Sequence, residues 1–239
     1  GIVDYGSLMF IALERSRSAR EAIRIMADLV EEYGYGSSGE SFSISDPNEV
    51  WYMEMIAKGA DEKGAVWAAF RIPDGCVAGH ANAARITAIP KRNGTTVITD
   101  KDWNKLYDSR VEVIYKHDVR DFARRQGLFS GRDEEFDFSA AFAPVDFSAA
   151  RFCDMRVWAF FREVTDDDMD QYLDYVTGKD LTAPRMPLWV KANHKMDVKE
   201  MMHFMRNYYQ GTEFDKTLDF GAGPFGCHIR WGGLFYEVD

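Results

Sequence analysis

Two segments of the chain carry side chains that could support acyl-transfer chemistry. In the first, Asn82 follows an apolar stretch that ends at Ala78, within the sequence GHANAARI at 79–86. In the second, Arg151 stands at the start of a predicted helix, within SAARFCDMRVW at 148–158. An asparagine amide is a neutral donor to a developing oxyanion, and a guanidinium stays charged. These residue types indicate a site that stabilises negative charge during acyl transfer.

Both residues also have a purely structural interpretation. Asn82 could be a turn asparagine that bonds its own backbone, and Arg151 could form a surface salt bridge. Arg156 lies five residues after Arg151, and this spacing does not place two side chains close together on one α-helical face. From the residues alone, the two interpretations stay open.

The composition indicates one globular α+β domain over residues 1–239. The chain has 239 residues, 46% hydrophobic and 14% aromatic, which is enough to bury a sizeable core. A formal net charge of −10 argues against non-specific binding to phosphate backbones, so nucleic acid is not expected as a partner. No apolar run reaches the roughly 18 residues that span a bilayer, so no membrane association is expected.

Cysteines and histidines give no metal-site or cofactor pattern. An odd count of three cysteines without a C-x-x-C pair suits buried or free thiols; they are Cys76, Cys153 and Cys227. The histidines show neither H-x-x-x-H nor H-E-x-x-H spacing; they are His80, His117, His194, His203 and His228. The glycine-rich GAGPFG at 221–226 lacks the Gly-Lys-Ser/Thr ending of a phosphate loop, and we interpret it as a structural loop. We therefore expect no cofactor and no metal.

Helical periodicity is clearest near the start of the chain. Ser18 and Glu21 have the spacing of a capping box, and an i, i+3, i+4 apolar stripe follows until the glycine at Gly34. Residues 118–126 and 149–162 also have helical character. A second box, Asp197 to Glu200, predicts a helix that continues to about Tyr209, with its methionines in the core.

Strand patterns occupy the region between these helices. Residues 41–45 and 50–56 flank an Asp-Pro-Asn turn and predict a hairpin, and residues 65–72 and 76–78 predict two further strands. These strands carry many apolar residues on both faces, which favours a sheet covered on both sides. A last strand is predicted at 231–238.

Ten segments, read in order, resemble the bacterial dipeptidase D family of cysteine peptidases. The likeness extends over nearly the whole chain, which makes it more specific than any single motif. The segments are DYGSL at 4–8, ALER at 12–15, SAREAI at 18–23, YGYG at 33–36, GESFSI at 39–44, DPNEVW at 46–51, HAN at 80–82, ARI at 84–86, RFC at 151–153 and GAGPFG at 221–226.

The resemblance implies a fold and a reaction. The family belongs to the N-terminal-nucleophile hydrolases, whose fold is a four-layer αββα sandwich. Its members hydrolyse dipeptides of broad composition through a cysteine exposed as the first mature residue. The α-amine of that cysteine shuttles the proton, backbone and asparagine donors hold the oxyanion, and water resolves the thioester without a metal.

Two site residues follow from this resemblance. Asn82 resembles the asparagine that closes the oxyanion hole in the related penicillin and bile-salt amidases. Arg151 resembles the arginine that lies beside the nucleophile in the same amidases. The partners implied are a dipeptide substrate and the remaining segments of the same polypeptide; a homo-oligomer and the cellular compartment stay open.

The resemblance also places the nucleophile outside these 239 residues. None of the three cysteines can replace it, because an internal cysteine has no free α-amine. We therefore expect the chain to be the central part of a longer hydrolase, without its N-terminal and C-terminal segments, and to be inactive alone.

Two other functions remain as alternatives. One is an amidase of the penicillin or bile-salt type that acts on N-acyl amino acids, which would need an open apolar trough instead of a closed pocket with a partner for a free amine. The other is a non-catalytic interaction protein on the same fold, which would lack a cysteine at its mature start.

Overall fold

Two compact units share the chain. The computed structural model describes residues 2–218 and 220–227. The first unit comprises the described residues up to Asp74 together with Asn82–Pro144, and the second comprises Gly75–Ala81 and the described residues from Val145 onward. Both helices and strands are present, so the mixed α+β class is confirmed. The expectation of one domain over 1–239 stays a prediction.

The first unit is a mixed sheet with helices. Its helices are α1 (Tyr5–Arg15), α2 (Ala19–Tyr33), α3 (Val119–Arg125) and α4 (Phe138–Phe142). Its strands are β1 (Gly39–Ser45), β2 (Val50–Ala57) and β3 (Ala65–Arg71), followed after an excursion into the second unit by two short strands, Val97–Thr99 and Val113–Tyr115. Single turns of 3-10 helix lie at Trp103–Lys105 and Asp133–Glu135.

The second unit is mainly helical. Its first element is a short strand in the excursion, β4 (Cys76–Ala78). The two short strands of the first unit at Val97–Thr99 and Val113–Tyr115 follow β4 in chain order and are labelled β5 and β6. A π-helical turn at Ala149–Asp154 leads directly into α5 (Met155–Val164). The remaining elements are a 3-10 turn at Asp170–Tyr172, α6 (Leu173–Val176), β7 (Trp189–Lys191), α7 (Val198–Phe204) and a 3-10 turn at Phe220–Phe225.

The predicted hairpin forms the edge of the five-stranded sheet. The strand order is β1-β2-β3-β6-β5, with antiparallel pairing from β1 through β6 and parallel pairing between β6 and β5. In this register Glu54 of β2 lies between Ser41 of β1 and Ala68 of β3. Strand β4 does not join this sheet; it pairs with β7 in the second unit.

Helix α2 confirms the predicted start, stripe and end. The Ser18 side chain accepts from the backbone N–H of Glu21, and the apolar stripe packs in the core except for Ile25, which is half-buried. The Glu21 carboxylate reaches Arg17 N at 2.7 Å, one residue before the expected position, so only half of the capping box forms. The helix ends at Gly34, whose φ of 88° suits glycine.

The central strands are buried on both faces, as predicted. Trp51, Met53 and Met55 belong to one core with α1 and α2. Tyr52 and Glu54 alternate with them along β2, so they face the other side of the sheet, and both are buried there. The sheet therefore supports buried groups on the side away from α1 and α2.

Helix α7 is shorter than predicted. Its capping box between Asp197 and Glu200 is complete, but the helix ends at Phe204 and not near Tyr209. The Asn207 side chain accepts from Tyr209 N, and Tyr209 has a φ of 66°, a conformation that no α-helix continues. The predicted methionine core is wrong for this helix, since Met205 is 80% exposed and Met201 and Met202 are exposed as well.

The remaining predictions fall at the end of the chain. The glycine-rich segment at 221–226, predicted to be a structural loop, is largely a 3-10 turn with a break at Gly223. The strand predicted at 231–238 lies outside the described residues. Across the part of the chain that the structure describes, no helix is both long and apolar enough to cross a bilayer.

Candidate active-site residues

Asn82 lies in a bend four residues after β4 ends. It belongs to the first unit, and its side chain is exposed. The chain then enters the fold, because Ala84, Arg85, Ile86 and Ile89 are buried. We call residues 82–89 the Asn82 segment. It presents an exposed amide from a segment that is otherwise anchored in the protein.

Glu54 holds this segment from the sheet side. Its Oε1 accepts from the backbone N–H of Arg85 at 2.5 Å and of Ile86 at 3.2 Å, and Oε2 also lies 3.2 Å from Ile86 N. The hydroxyl of Tyr52 donates to Oε1 at 2.5 Å. Glu54 is only 1% exposed, so a buried carboxylate ties the Asn82 segment to the centre of β2.

Helix α4 holds the same segment through backbone and hydroxyl bonds. Ser139 donates from its backbone N–H to Ile86 O at 2.9 Å and from its hydroxyl to Ala84 O at 3.2 Å. Phe138 N donates to Thr87 O at 2.9 Å. Together with the bonds to Glu54, these contacts hold consecutive backbone groups from Ala84 to Thr87 against β2 and α4.

Burial raises the pKa of Glu54 above its ordinary value. The hydrogen bonds from Tyr52, Arg85 and Ile86 and the charge of Arg85 oppose that rise. The pKa of Tyr52 is raised well above its ordinary value by burial and by the adjacent carboxylate. Glu54 therefore keeps a proton to a higher pH than an exposed glutamate.

The sequence reasoning missed Glu54. A signal was present, because it is the one acidic residue in the apolar strand VWYMEMIA at Val50–Ala57. A strand that is buried on both faces has no solvated side for a carboxylate, so such a residue must have buried partners.

Arg151 lies in the π-helical turn of the second unit. Its side chain is half-buried, the guanidinium contacts Met155 Sδ, and it lies over the Phe214 ring at 5.5 Å from the centroid. Short π-helical turns inside α-helices occur frequently at functional sites. The predicted helix over 149–162 is confirmed, with this departure in its first turn.

Arg151 and Arg156 both influence the pKa of one buried phenol, Tyr209, although they are five residues apart. The positive charges of both oppose the rise that burial causes in the pKa of Tyr209. Tyr209 is 4% exposed, and its hydroxyl has no hydrogen-bond partner among the described residues. Its backbone is in the left-handed region, which is rare for a residue with a large side chain.

A second buried carboxylate lies at the end of the π-helical turn. Asp154 accepts from the Tyr175 hydroxyl at 2.5 Å, and Arg185 Nη2 lies 3.4 Å from the same oxygen, Oδ2. Burial and the Asp154 charge raise the pKa of Tyr175. Asp154 thereby ties the turn that carries Arg151 to α6 and to the segment around Arg185.

A cleft of about 240 Å³ lies beside Tyr209 in the second unit. Its wall includes Glu163, which accepts from Asn207 at 2.5 Å and lies 3.3 Å from His203 Nε2. The cleft contains polar groups of both signs, with Arg162 also on its wall.

The three cysteines are free thiols, with Cys153 buried, Cys76 half-buried and Cys227 exposed. Within residues 2–218 and 220–227, no three His, Cys, Asp or Glu side chains are grouped so that they could hold a metal ion. His228 lies outside the described residues.

The two predicted site residues belong to different units, Asn82 to the first and Arg151 to the second. A buried carboxylate bonds near each of them: Glu54 bonds the backbone of Arg85 and Ile86, and Asp154, three residues after Arg151, bonds Tyr175. Their assignment to one catalytic site stays a prediction.

These elements define a mixed α+β protein with a five-stranded sheet in the described part of the chain. The chain belongs to peptidase family C69, because the sequence model of that family matches residues 1–224. The resemblance to a dipeptidase family is thereby confirmed.

Several curated relatives of this chain are named as dipeptidases. A probable dipeptidase of Latilactobacillus sakei is 26% identical over 87% of this chain and 37% of its own length. A probable dipeptidase of Salmonella dublin is 26% identical over 86% of this chain and 40% of its own length. A dipeptidase of Bifidobacterium longum is 24% identical over 86% of this chain and 35% of its own length. The chain thus spans less than half the length of these relatives.

Proposed function

We propose that the complete protein containing this chain is a cysteine dipeptidase that hydrolyses dipeptides of broad composition. The observation that carries the proposal is the family match over residues 1–224, together with relatives named as dipeptidases. The partners in this proposal are a dipeptide substrate and the remaining segments of the same polypeptide. Nucleic acid, membranes, metals and cofactors have no part in it.

The proposed nucleophile is a cysteine exposed as the first mature residue. Its thiolate attacks the peptide carbonyl while its own α-amine shuttles the proton, and water then hydrolyses the thioester. Cys76, Cys153 and Cys227 are internal and have no free α-amine, so none of them takes this role.

Asn82 is proposed as an oxyanion donor. Its amide is exposed, while the segment behind it is anchored by Glu54 and Ser139. Such a donor stabilises a transition state only if it is held in place before the reaction, because reorganisation would cost free energy. The anchored segment supports this role.

Arg151 is proposed to lie beside the nucleophile and to favour its anionic form. A guanidinium keeps its charge when half-buried, and a nearby cation lowers the pKa of a thiol. The π-helical turn and the Asp154 anchor support a fixed position for this side chain.

The described sheet is proposed to be one sheet of a four-layer αββα sandwich. Its central strands are buried on both faces, and helices α1 and α2 cover one of these two faces. A sheet that needs cover on both faces fits an inner layer of such a sandwich.

The complete protein tests the function directly. We expect hydrolysis of Gly- and Ala-containing dipeptides, loss of activity with iodoacetamide, and one alkylated N-terminal cysteine by intact mass and sequencing. Hydrolysis of N-acyl amino acids in place of dipeptides would favour the amidase alternative. A mature protein with neither such a cysteine nor hydrolysis would contradict the proposal and favour an interaction protein.

Replacing Asn82 tests the site. Asn82→Ala is expected to lower kcat about 100-fold or more, as loss of an oxyanion donor does elsewhere. Asn48→Ala is the matched control, since Asn48 is also an exposed asparagine of the first unit. Activity of Asn82→Ala within about threefold of wild type would end the oxyanion role.

Replacing Arg151 tests the second site residue through the pH–rate profile. Arg151→Ala is expected to move the limb that reports the nucleophile, because the thiol pKa rises when the cation is lost. Arg206→Ala is the control, since Arg206 is an exposed arginine of the second unit. An unchanged rate and profile would make Arg151 structural.

A further inference from the structure

The proposed mechanism makes no use of the buried carboxylate of Glu54. This residue is 1% exposed in the middle of β2, on the face opposite the packed Trp51, Met53 and Met55. Removing a carboxylate from water is unfavourable unless strong hydrogen bonds replace the water. An apolar side chain would avoid this cost, so the partners of Glu54 indicate what the carboxylate is for.

Two of those partners are consecutive backbone N–H groups of the Asn82 segment. Arg85 N and Ile86 N lie three and four residues after Asn82, and both donate to Glu54. Arg85 and Ile86 belong to no strand, so no neighbouring strand supplies carbonyl acceptors to these two N–H groups. The carboxylate of Glu54 supplies the acceptors instead. An apolar residue at position 54 would leave these two buried N–H groups without this acceptor.

Tyr52 fixes the direction of the carboxylate. Its hydroxyl donates to Glu54 Oε1, and Ser41 Oγ on β1 lies 3.3 Å from the same hydroxyl. Since β2 is an interior strand of the sheet, the carboxylate is held by a rigid element. The bond joins residues 31 positions apart in the chain, Glu54 in the sheet and Arg85 in the Asn82 segment.

We infer that Glu54 is a positioning residue for Asn82: by accepting from the N–H groups of Arg85 and Ile86, it sets the position from which the Asn82 amide meets the oxyanion. The inference rests on the proposed oxyanion role of Asn82. Glu54 itself does not touch the substrate.

The test is a double-mutant cycle in the complete protein. Glu54→Ala is expected to lower kcat about tenfold or more while KM changes by less than about twofold. Glu54→Gln should recover most of the rate, because its amide oxygen still accepts from backbone N–H groups. If Glu54 acts through Asn82, adding Glu54→Ala to Asn82→Ala should slow the enzyme by no more than about twofold further.

Met53→Ala is the control for a merely structural effect. Met53 is the neighbouring residue of β2, fully buried on the opposite face. Its loss destabilises the same strand, yet its effect on kcat should be small and should multiply with that of Asn82→Ala. A kcat loss in Met53→Ala equal to that in Glu54→Ala would overturn the inference.

Amide hydrogen exchange gives a readout that does not depend on activity. In Glu54→Ala, exchange at Arg85 and Ile86 should accelerate at least about tenfold, while β2 and β3 stay protected. In Met53→Ala it should not accelerate selectively. Unchanged exchange at these two groups would overturn the inference, even in a protein without dipeptidase activity.

The remaining outcomes separate the two proposals. If wild type hydrolyses dipeptides and Asn82→Ala is as active, the oxyanion role of Asn82 is contradicted. The positioning role of Glu54 is then contradicted as well, because it depends on the role of Asn82. If Asn82→Ala is slow but Glu54→Ala is as fast as wild type, only the positioning role is overturned.

Discussion

Two buried carboxylates in the first unit have pKa values that move in opposite directions. For Glu54, burial is the largest influence and raises the pKa. For Asp102, the hydrogen bond from Arg92 is the largest influence, Thr99 adds two more bonds, and the pKa falls. For Asp102 the hydrogen bonds from a cation outweigh burial, whereas for Glu54 burial outweighs its hydrogen bonds and the charge of Arg85.

Glu54→Gln should change how stability depends on pH. A pKa raised in the folded state gives stability that is present below the unfolded pKa, about 4.3, and is lost as pH rises through the folded value. The free energy of unfolding of wild type, relative to Glu54→Gln, should therefore fall as the pH rises above the unfolded pKa and through the raised folded one. Urea denaturation across this range measures the difference, and a constant difference would contradict the raised pKa.

Asp102→Asn should show the opposite dependence. A pKa lowered in the folded state gives stability that is present above the unfolded pKa, about 3.9, and is lost as pH falls through the folded value. We expect a cost of about 2 kcal/mol near neutral pH that shrinks in acid. Asp74→Asn is the control, since Asp74 is 85% exposed in its pair with Arg71 and should cost under about 0.5 kcal/mol. An equal cost for both variants would refute the assignment.

Among the elements, α2 shows how a short sequence pattern determines where a helix begins. The Ser18 side chain accepts from Glu21 N, and the stripe that follows packs against β2 and β3. The carboxylate of Glu21 bonds Arg17 N because the chain enters from α1 after only three residues. The pattern determines the start of the helix, while the approach of the chain selects which N–H is bonded.

Ser18→Ala should destabilise the first unit by about 1 kcal/mol, because a backbone N–H in the first turn loses its cap. Ser16→Ala is the matched control, since Ser16 ends α1 through its backbone N–H to Ala12 O and not through its side chain. Thermal or urea unfolding measures both variants. A loss of stability in Ser16→Ala as large as that in Ser18→Ala would show that the cap is not the cause.

At the scale of the whole molecule, the chain passes between the two units three times. It leaves the first unit after Asp74, returns at Asn82, and leaves again after Pro144. The excursion supplies β4, whose Val77 pairs with the buried Val190 of β7. We propose that these crossings make residues 1–239 one cooperative domain.

Val77→Asp tests this proposal. A carboxylate in place of a half-buried valine should cost about 2–3 kcal/mol and open the pairing of β4 with β7. In one cooperative domain, global hydrogen-exchange protection should fall by the same free energy in β2, β3 and α5. Val50→Asp is the control, because Val50 is 45% exposed at the start of β2. Loss confined to α5 and β7 would contradict a single domain.

Local patterns in the sequence determined the elements whose neighbours along the chain control them. The period and caps of α2, the hairpin of β1 and β2, and the start of α7 were predicted because hydrogen bonds between residues a few positions apart produce them. The ordered likeness of ten segments determined the family. Asn82 and Arg151 were predicted from that likeness, and their catalytic roles stay predictions.

Only the tertiary structure decided the contacts between distant segments. It placed β4 against β7 and not in the main sheet, and it ended α7 before Tyr209, where a side chain competes for the backbone. It also brought Glu54 to Arg85 and Ile86, 31 and 32 positions away. A buried polar group must find its partner wherever the fold places one, and no local period contains that information.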